Sequence, residues 1–341
     1  MNFETISKAP TRVDLAGGTL DIWPIHHVIP KCKTINIAID TFNEIKINAN
    51  TDQFVIESKD LNAKTSFADY EEIHTDGELN LLWRVVKHYW NKDLPKLHIE
   101  SYALSPAGAG LGGSSSLALN LGYHLCKLKN KFQNISKEPD MYSLVKTIKD
   151  IEVTQIHTPT GEQDYWAPVY GGLNVISYPP GKTKVESVSE DFAKQLESMM
   201  LTVYSGQSRA SAMNNWILYK CVFEKNMEVV NMFKQIAETT TLAADSIENN
   251  DLDEFIQHTK KEWQHRCQLF PGIQTPVTKK LTNDAKEIGA IYSRVCGAGG
   301  GGVMALFFPP AKKEKALQRL TAKGYKAVSY THLTLPTKRI V

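Results

Sequence analysis

The chain has 341 residues, 42% of them hydrophobic and 22% charged, with a formal net charge of +2. That length and apolar content suffice for two domains of ordinary size, each with its own core, while the near-neutral balance gives no overall pull toward nucleic acid or an anionic membrane. No run of about 18 apolar residues marks a membrane span, and Met1-Asn-Phe-Glu-Thr5 lacks the basic-then-apolar order of a secretory leader, so a cytoplasmic protein is the expectation.

The opening Lys8-Ala-Pro-Thr-Arg12-Val-Asp14-Leu-Ala-Gly17-Gly18-Thr-Leu-Asp21 is an apolar alternation broken by a glycine pair, and reads as a strand entering a tight turn. Asp21 then stands at a strand end, either as a cap before Ile22-Trp-Pro24 or as a functional carboxylate. Ile35–Ile39, Glu44–Asn48 and Phe54–Glu57 read as separate strands of an antiparallel meander, Leu79–Trp90 as a helix and Leu97–Leu104 as a further strand. A strand-rich first half with few helices suits an α+β layer.

Next comes Pro106-Ala-Gly-Ala-Gly110-Leu-Gly-Gly-Ser114-Ser115-Ser116-Leu117, four glycines in six residues running into three hydroxyls and a helical pattern that ends near Lys127. A loop that feeds a helix N-terminus offers unpartnered N–H groups to an anion, and a nucleotide phosphate is the obvious candidate. A plain flexible turn is one alternative. A dinucleotide fingerprint, Gly108-x-Gly110-x-x-Gly113, is another, but the acidic residue it wants about 20 positions on is replaced by the basic Lys127-Leu-Lys-Asn-Lys131. A kinase phosphate loop is the third; it is not a Walker A motif, since no Lys-Ser or Lys-Thr follows the glycines.

A helix opening at Ser136, with Pro139 in its first turn, runs to about His157 and carries Glu152. It breaks at Thr158-Pro-Thr-Gly161-Glu-Gln-Asp164-Tyr-Trp, before Tyr170-Gly-Gly172-Leu-Asn-Val-Ile176. By themselves Glu152 and Asp164 could be solvated helix-end carboxylates. Pro179-Pro-Gly-Lys-Thr-Lys184 reads as a hinge, followed by a helix from about Ser189 to Met200 and then Tyr204-Ser-Gly-Gln-Ser-Arg209-Ala-Ser211, a strand before a Ser-capped helix. Further helices are expected over Met213–Asn249, broken near Thr239-Thr-Thr241, and over Leu252–Leu269; Pro271 to Pro276 separates these from another helix. Arg294-Val-Cys-Gly297-Ala-Gly299-Gly-Gly-Gly302 is a glycine loop entering the strand Val303–Phe308, and Lys312–Lys323 forms the closing helix.

Cys32, Cys126, Cys221, Cys267 and Cys296 are scattered without a Cys-x-x-Cys pair, which points to reduced thiols rather than a disulfide framework or zinc ribbon. His265-x-Cys267 falls on different faces of a helical pattern, so structural roles are favoured over metal binding.

The glycine loop resembles the second motif of the galactokinase, homoserine kinase, mevalonate kinase and phosphomevalonate kinase (GHMP) superfamily, Pro-x-x-x-Gly-Leu-Gly-Ser-Ser-Ala, with Gly113 in place of the first serine. The Lys8–Asp21 stretch resembles the first motif, in the Ala-Gly-Gly variant of heptose-phosphate kinases and fucokinases. Gly161-Glu-Gln-Asp164 with Gly171-Gly172, and Tyr204 to Ser211, are closest to heptose-phosphate kinase forms, the former with Glu162 where those have lysine. The Arg294–Gly302 loop resembles the third motif, with Arg294 where lysine is usual. The resemblance covers residues 1 to about 327.

It implies an α+β fold in two domains: residues 1–180, an ATP-binding domain with a left-handed β-α-β unit, and residues 185–327, a ferredoxin-like domain. Residues 328–341 read as a non-native tail like a translated sequencing adapter. It further implies an ATP- and Mg2+-dependent phosphotransferase acting on a hydroxyl, the anomeric one, of a sugar or sugar phosphate, with no nucleic-acid or membrane partner, as a monomer or homodimer. Asp164 and Arg12 would be catalytic, and Ser114 and Glu152 would hold magnesium. Pro106, Gly108, Gly110, Leu111, Gly112, Gly113, Ser114, Ser115, Gly299 and Gly300 would hold the nucleotide, and Asp21, Gly18 and Gly172 the acceptor. A mevalonate-type kinase and a catalytically inactive sugar sensor are the alternatives.

Overall fold

The computed structural model describes residues 3–106, 108–208 and 212–329, with the side chains of residues 3 and 212–214 left aside. The first part of the chain runs β1 (Phe3–Ala16), α1 (Ile25–Val28), β2 (Lys33–Ala49), β3 (Phe54–Ser58), β4 (Ala63–Phe67), α2 (Asn80–Tyr89), β5 (Leu97–Ala103), α3 (Gly113–Phe132), α4 (Met141–Ile156), α5 (Gln163–Tyr170), β6 (Leu173–Ser177) and β7 (Lys184–Ser187). The second runs α6 (Glu190–Met199), β8 (Met200–Tyr204), α7 (Ala212–Phe223), α8 (Met227–Glu248), α9 (Leu252–Leu269), α10 (Pro276–Ile288), β9 (Tyr292–Val295), β10 (Val303–Phe307), α11 (Pro310–Ala322) and β11 (Lys326–Val328).

Among the described residues the strands form a seven-stranded and a four-stranded sheet, so the architecture is α+β in two domains. The larger sheet is organised around β2. β1 pairs along one edge of it, while β5 takes Asn43–Ala49 and β6 takes Lys33–Ile37 on the other. The expected break between Ile39 and Glu44 does not occur. Pro10 pairs with Phe42 and Thr11 with Ile39, so Asp40 and Thr41 are absorbed as a bulge and the two apolar runs form a single 17-residue strand. β3 and β5 run parallel, joined by a crossover through β4 and α2. α2 buries Leu81, Leu82, Trp83, Val85 and Val86 at helical spacing, and the core lies between the sheet and α2 to α4.

The smaller sheet has the order β11-β8-β10-β9 with every pair antiparallel. That is the fourth-first-third-second order of a β-α-β-β-α-β ferredoxin-like unit, with α7 to α10 in the first crossover and α11 in the second.

Several boundaries move. Pro179–Lys184 is not an interdomain hinge: β7 returns to pair with β6, so this proline-glycine stretch turns a hairpin of the first sheet and the second domain opens later, where Ser189 caps α6. α4 is capped by Asp140 rather than Ser136. Thr239–Thr241 does not break α8, and all three hydroxyls are satisfied inside it by bonding back to carbonyls one turn earlier; the interruption falls between Phe223 and Met227. Val328, the first residue of the stretch set aside, pairs with Thr202. Residues 330–341, and Arg209 to Ser211, lie outside the described residues.

The two domains meet at a buried cluster of charges. Asp14 of β1 accepts from Arg266 Nη1 of α9 at 2.8 Å and lies 3.6 Å from Arg294 Nη2 of β9; Arg294 Nη1 reaches Glu262 of α9 at 2.9 Å. Glu262 also accepts the Gly17 N–H at 2.9 Å, and Arg294 donates to the Leu15 carbonyl. None of the four side chains is more than 2% exposed. Burial alone pushes the Asp14 carboxyl up, but Arg266 and Arg294 outweigh it and hold it below the usual carboxylate range. Removing one member leaves an uncompensated buried charge, which costs about 3–5 kcal/mol. Arg294→Met is therefore expected to lower the unfolding free energy by about that amount in urea melts; a loss under about 1 kcal/mol would show that the cluster behaves as surface charge.

Candidate active site

The glycine loop is held from behind. Its carbonyls are taken one after another: Val303 N–H donates to Ala109 at 2.7 Å, Arg12 Nη1 to Gly110 at 2.6 Å and Arg12 N–H to Leu111 at 3.0 Å. With the carbonyls drawn off, the loop and the start of α3 line a cavity of about 310 Å³. α3 has no side-chain cap, so its first-turn N–H groups are left to a ligand, and the positive end of the helix favours an anion there. Pro106, Gly108, Gly110, Leu111, Gly112, Gly113, Ser114 and Ser115 all line this cavity. The third-motif loop provides the buttress, and Gly302 must be glycine: a Cβ there would stand 2.4 Å from the Ala109 carbonyl oxygen.

Glu152, on α4, is buried beside the loop. Ser114 and Ser115 donate to its two carboxylate oxygens at 2.8 Å each, and Tyr165 of α5 donates to Oε2. Burial lifts its carboxyl above the usual range against the pull of these three hydroxyls. A buried carboxylate with hydroxyl neighbours and no cationic partner among the described ion pairs is a donor set for a hard cation.

A second cavity, of about 60 Å³, adjoins the first. Arg12, Thr19, Asp21, Gly161, Asp164, Arg266 and Gly297 line it, while Thr160, Asp164, Asn215 and Ala298 line both. Asp164 thus stands where the two meet. Arg12 holds its Oδ1 with Nε at 2.8 Å and Nη2 at 2.5 Å, and the guanidinium is only 2% exposed against 23% for the aspartate. Asp21 does not cap α1; it accepts the Gln163 N–H at 3.0 Å and is buried. Burial, against the pull of that N–H, pushes its carboxyl up to about 6.

Four expected site residues line neither cavity. The Gly300 N–H is bonded to the Ile273 carbonyl at 3.0 Å and Gly299 packs on Ile273, so Gly297 and Ala298 form the wall instead. The Gly172 carbonyl accepts from Ala38 N–H at 2.8 Å, closing the end of α5 against β2. Gly18 lies on Arg266 and Asp14. Sequence reasoning missed Tyr165, Asn215 and Arg266. The last two sit in ordinary helical patterns and carry no local signal, whereas Tyr165 follows Asp164 directly. Glu162 faces away from the cavities, fully buried, accepting from Lys146, Lys149 and Thr183.

An anion cradle and a buried oxygen donor set on one side of an arginine-held carboxylate, with a polar cavity on the other, define a phosphotransferase that delivers to an alcohol. Residues 80–172 match the family model for the GHMP kinases N terminal domain and residues 243–326 that for GHMP kinases C terminal, together just over half of the chain. The chain belongs to the GHMP kinases. It is 23% identical to D-glycero-alpha-D-manno-heptose 7-phosphate kinase of Campylobacter jejuni, over 94% of each chain. It is 25% identical to the bifunctional fucokinase/GDP-fucose pyrophosphorylase of Arabidopsis thaliana over 92% of its own length, spanning 30% of that protein. The crystal structure of a D-glycero-D-manno-heptose 1-phosphate kinase from Bacteroides thetaiotaomicron superposes with a TM-score of 0.74 at 20% identity, over 97% of this chain and 96% of that one.

Because Asp21 is ionised at neutral pH at the expense of burial, its folded pKa of about 6 lies above the ordinary 3.8. Its contribution to stability is therefore fully present below about pH 4 and is lost as pH rises through about 6. Asp21→Asn, which keeps an oxygen for the Gln163 N–H, is expected to raise Tm at pH 7.5 and to leave Tm nearly unchanged at pH 4. Equal shifts at both pH values would show that burial does not raise the carboxyl above its ordinary value.

Proposed function

We propose that the protein transfers the γ-phosphoryl group of ATP to a hydroxyl of a sugar or sugar phosphate, the anomeric one. The observation that carries the reading is the position of Asp164 at the junction of the anion-lined and polar cavities, fixed there by Arg12. Phosphoryl transfer asks the protein for in-line positioning and charge neutralisation more than covalent chemistry.

The loop amides from Gly110 to Ser115 hold the phosphates. Ser114 and Glu152 fit magnesium, which binds through one or two carboxylates and keeps several waters; when bound it neutralises charge on the phosphates. With a cation in place, Ser114 and Glu152 would serve as its ligands and the Ser115 hydroxyl, which now donates to Glu152, would be free to donate to a phosphate oxygen. Asp164 accepts or orients the proton of the attacking hydroxyl, and Arg12 keeps the carboxylate aimed while countering charge that develops on the transferred group. Asp21 accepts hydrogen bonds from neighbouring hydroxyls of the acceptor, and a carboxylate in that place repels the carboxylate of mevalonate or homoserine. The heptose-phosphate kinase and fucokinase relatives support a sugar acceptor.

Asp164→Asn is expected to lower turnover by at least about 100-fold while ATP binding, measured by calorimetry, survives; normal turnover would remove Asp164 from the chemistry. ATP consumption across neutral sugars, sugar phosphates and mevalonate tests the acceptor class. The best sugar should lose affinity as pH falls through about 6 while ATP does not, because protonated Asp21 no longer accepts freely. Mevalonate as the best acceptor would overturn the sugar reading and leave the kinase intact.

A further inference from the structure

One wall of the acceptor-side cavity is built by a residue that belongs to none of the three motifs. Arg266 comes from α9, in the second domain, and lies among Thr19, Asp21 and Asp164 of the first. Two contacts fix its guanidinium: Nη1 donates to Asp14 Oδ2 and Nη2 to the Gly297 carbonyl, both at 2.8 Å. The planar fork of an arginine has more N–H donors than these two contacts use.

The backbone makes room for it. A Cβ at Gly18 would stand 2.2 Å from Arg266 Nη1 and 2.4 Å from Asp14 Oδ2, so the ion pair passes directly against the Gly18 α-carbon. The same turn goes on to present Thr19 and Asp21 to the cavity. Gly18 is therefore explained by an approach from the other domain.

We propose that Arg266 is a specificity-determining residue for the acceptor, donating to an acceptor oxygen in the cavity that Asp21 also lines, and that Gly18 is glycine to admit it. This rests on the kinase reading above. Asp14 neutralises the guanidinium, so it acts as an oriented donor rather than a free cation. A donor and a carboxylate acceptor lining one cavity form the pairing that selects a hydroxyl-bearing substrate, since a hydroxyl can satisfy both. A site built on such bonds rejects analogues lacking the group.

The test uses the full chain with D-galactose, L-fucose, D-mannose and D-mannose 6-phosphate as probes. Arg266→Lys breaks the fork geometry, and Gly18→Ala crowds the intact guanidinium from the other side. Each is expected to raise the KM of the preferred sugar about 10- to 100-fold while the Kd for ATP moves by less than about threefold. The double variant is expected to be no worse than Arg266→Lys alone, because both changes act on one contact. If Arg266→Lys fails to fold, Gly18→Ala carries the test by itself. Unchanged sugar KM in folded variants, or parallel loss of sugar and ATP binding, would overturn the proposal. ATP binding without turnover of any probe by the parent chain would instead overturn the sugar reading, and this inference with it.

Discussion

Two opposite charges on one face of one strand, Arg12 and Asp14, set the terms for the rest of the molecule. Residues two apart on a strand point the same way, and both side chains are almost wholly buried. An isolated charge in such a place costs several kcal/mol, so each must recruit partners from elsewhere in the chain. Arg12 takes the Gly110 carbonyl and Asp164; Asp14 takes Arg266 and Arg294. The segments drawn in by this pair are those that bound the cleft. The phosphate loop and the reactive carboxylate answer to Arg12, and the second domain answers to Asp14.

Much of the cleft was legible because its parts are local. The glycine run, the hydroxyls after it and the apolar helix pattern occupy adjacent positions, so Gly110 to Ser115 could be placed at a helix start from the sequence. Glu152 and Asp164 were found by the family resemblance, since by residue type alone solvated helix ends are the better reading. What escaped depends on distant pairing. Whether Ile35–Ile39 and Glu44–Asn48 are one strand or two is decided by the bulge opposite Pro10 and Thr11. Pro179–Lys184 looks like any proline-glycine linker until β7 is seen to pair with β6. Gly299 and Gly300 share their neighbours' composition, yet Ile273 claims them and leaves Ala298 to face the cavities. Arg266 is one arginine on a polar helix, and its meaning lies wholly in Asp14, some 250 residues earlier.

The buried acidic groups in and behind the cleft divide by how their charge is supported. Asp14 and Glu162 have cations and lie below the usual carboxylate range, and both serve the framework. Asp21 and Glu152 are buried with N–H or O–H donors, and both are pushed up. These two are the carboxylates to which the proposed reaction assigns a sugar hydroxyl and a cation, respectively. Their cost is concentrated where a ligand can relieve it, which is the usual relation between function and local instability.

The buttress behind the phosphate loop has a consequence for how the protein comes apart. Val303 belongs to the second sheet, yet its N–H satisfies the carbonyl that shapes the loop of the first. Were the second domain to melt alone, Ala109 would lose its donor and Asp14 both of its arginines. The first domain therefore has no comfortable state without the second, and these shared contacts favour loss of the two separately hydrogen-bonded sheets together over their loss in sequence.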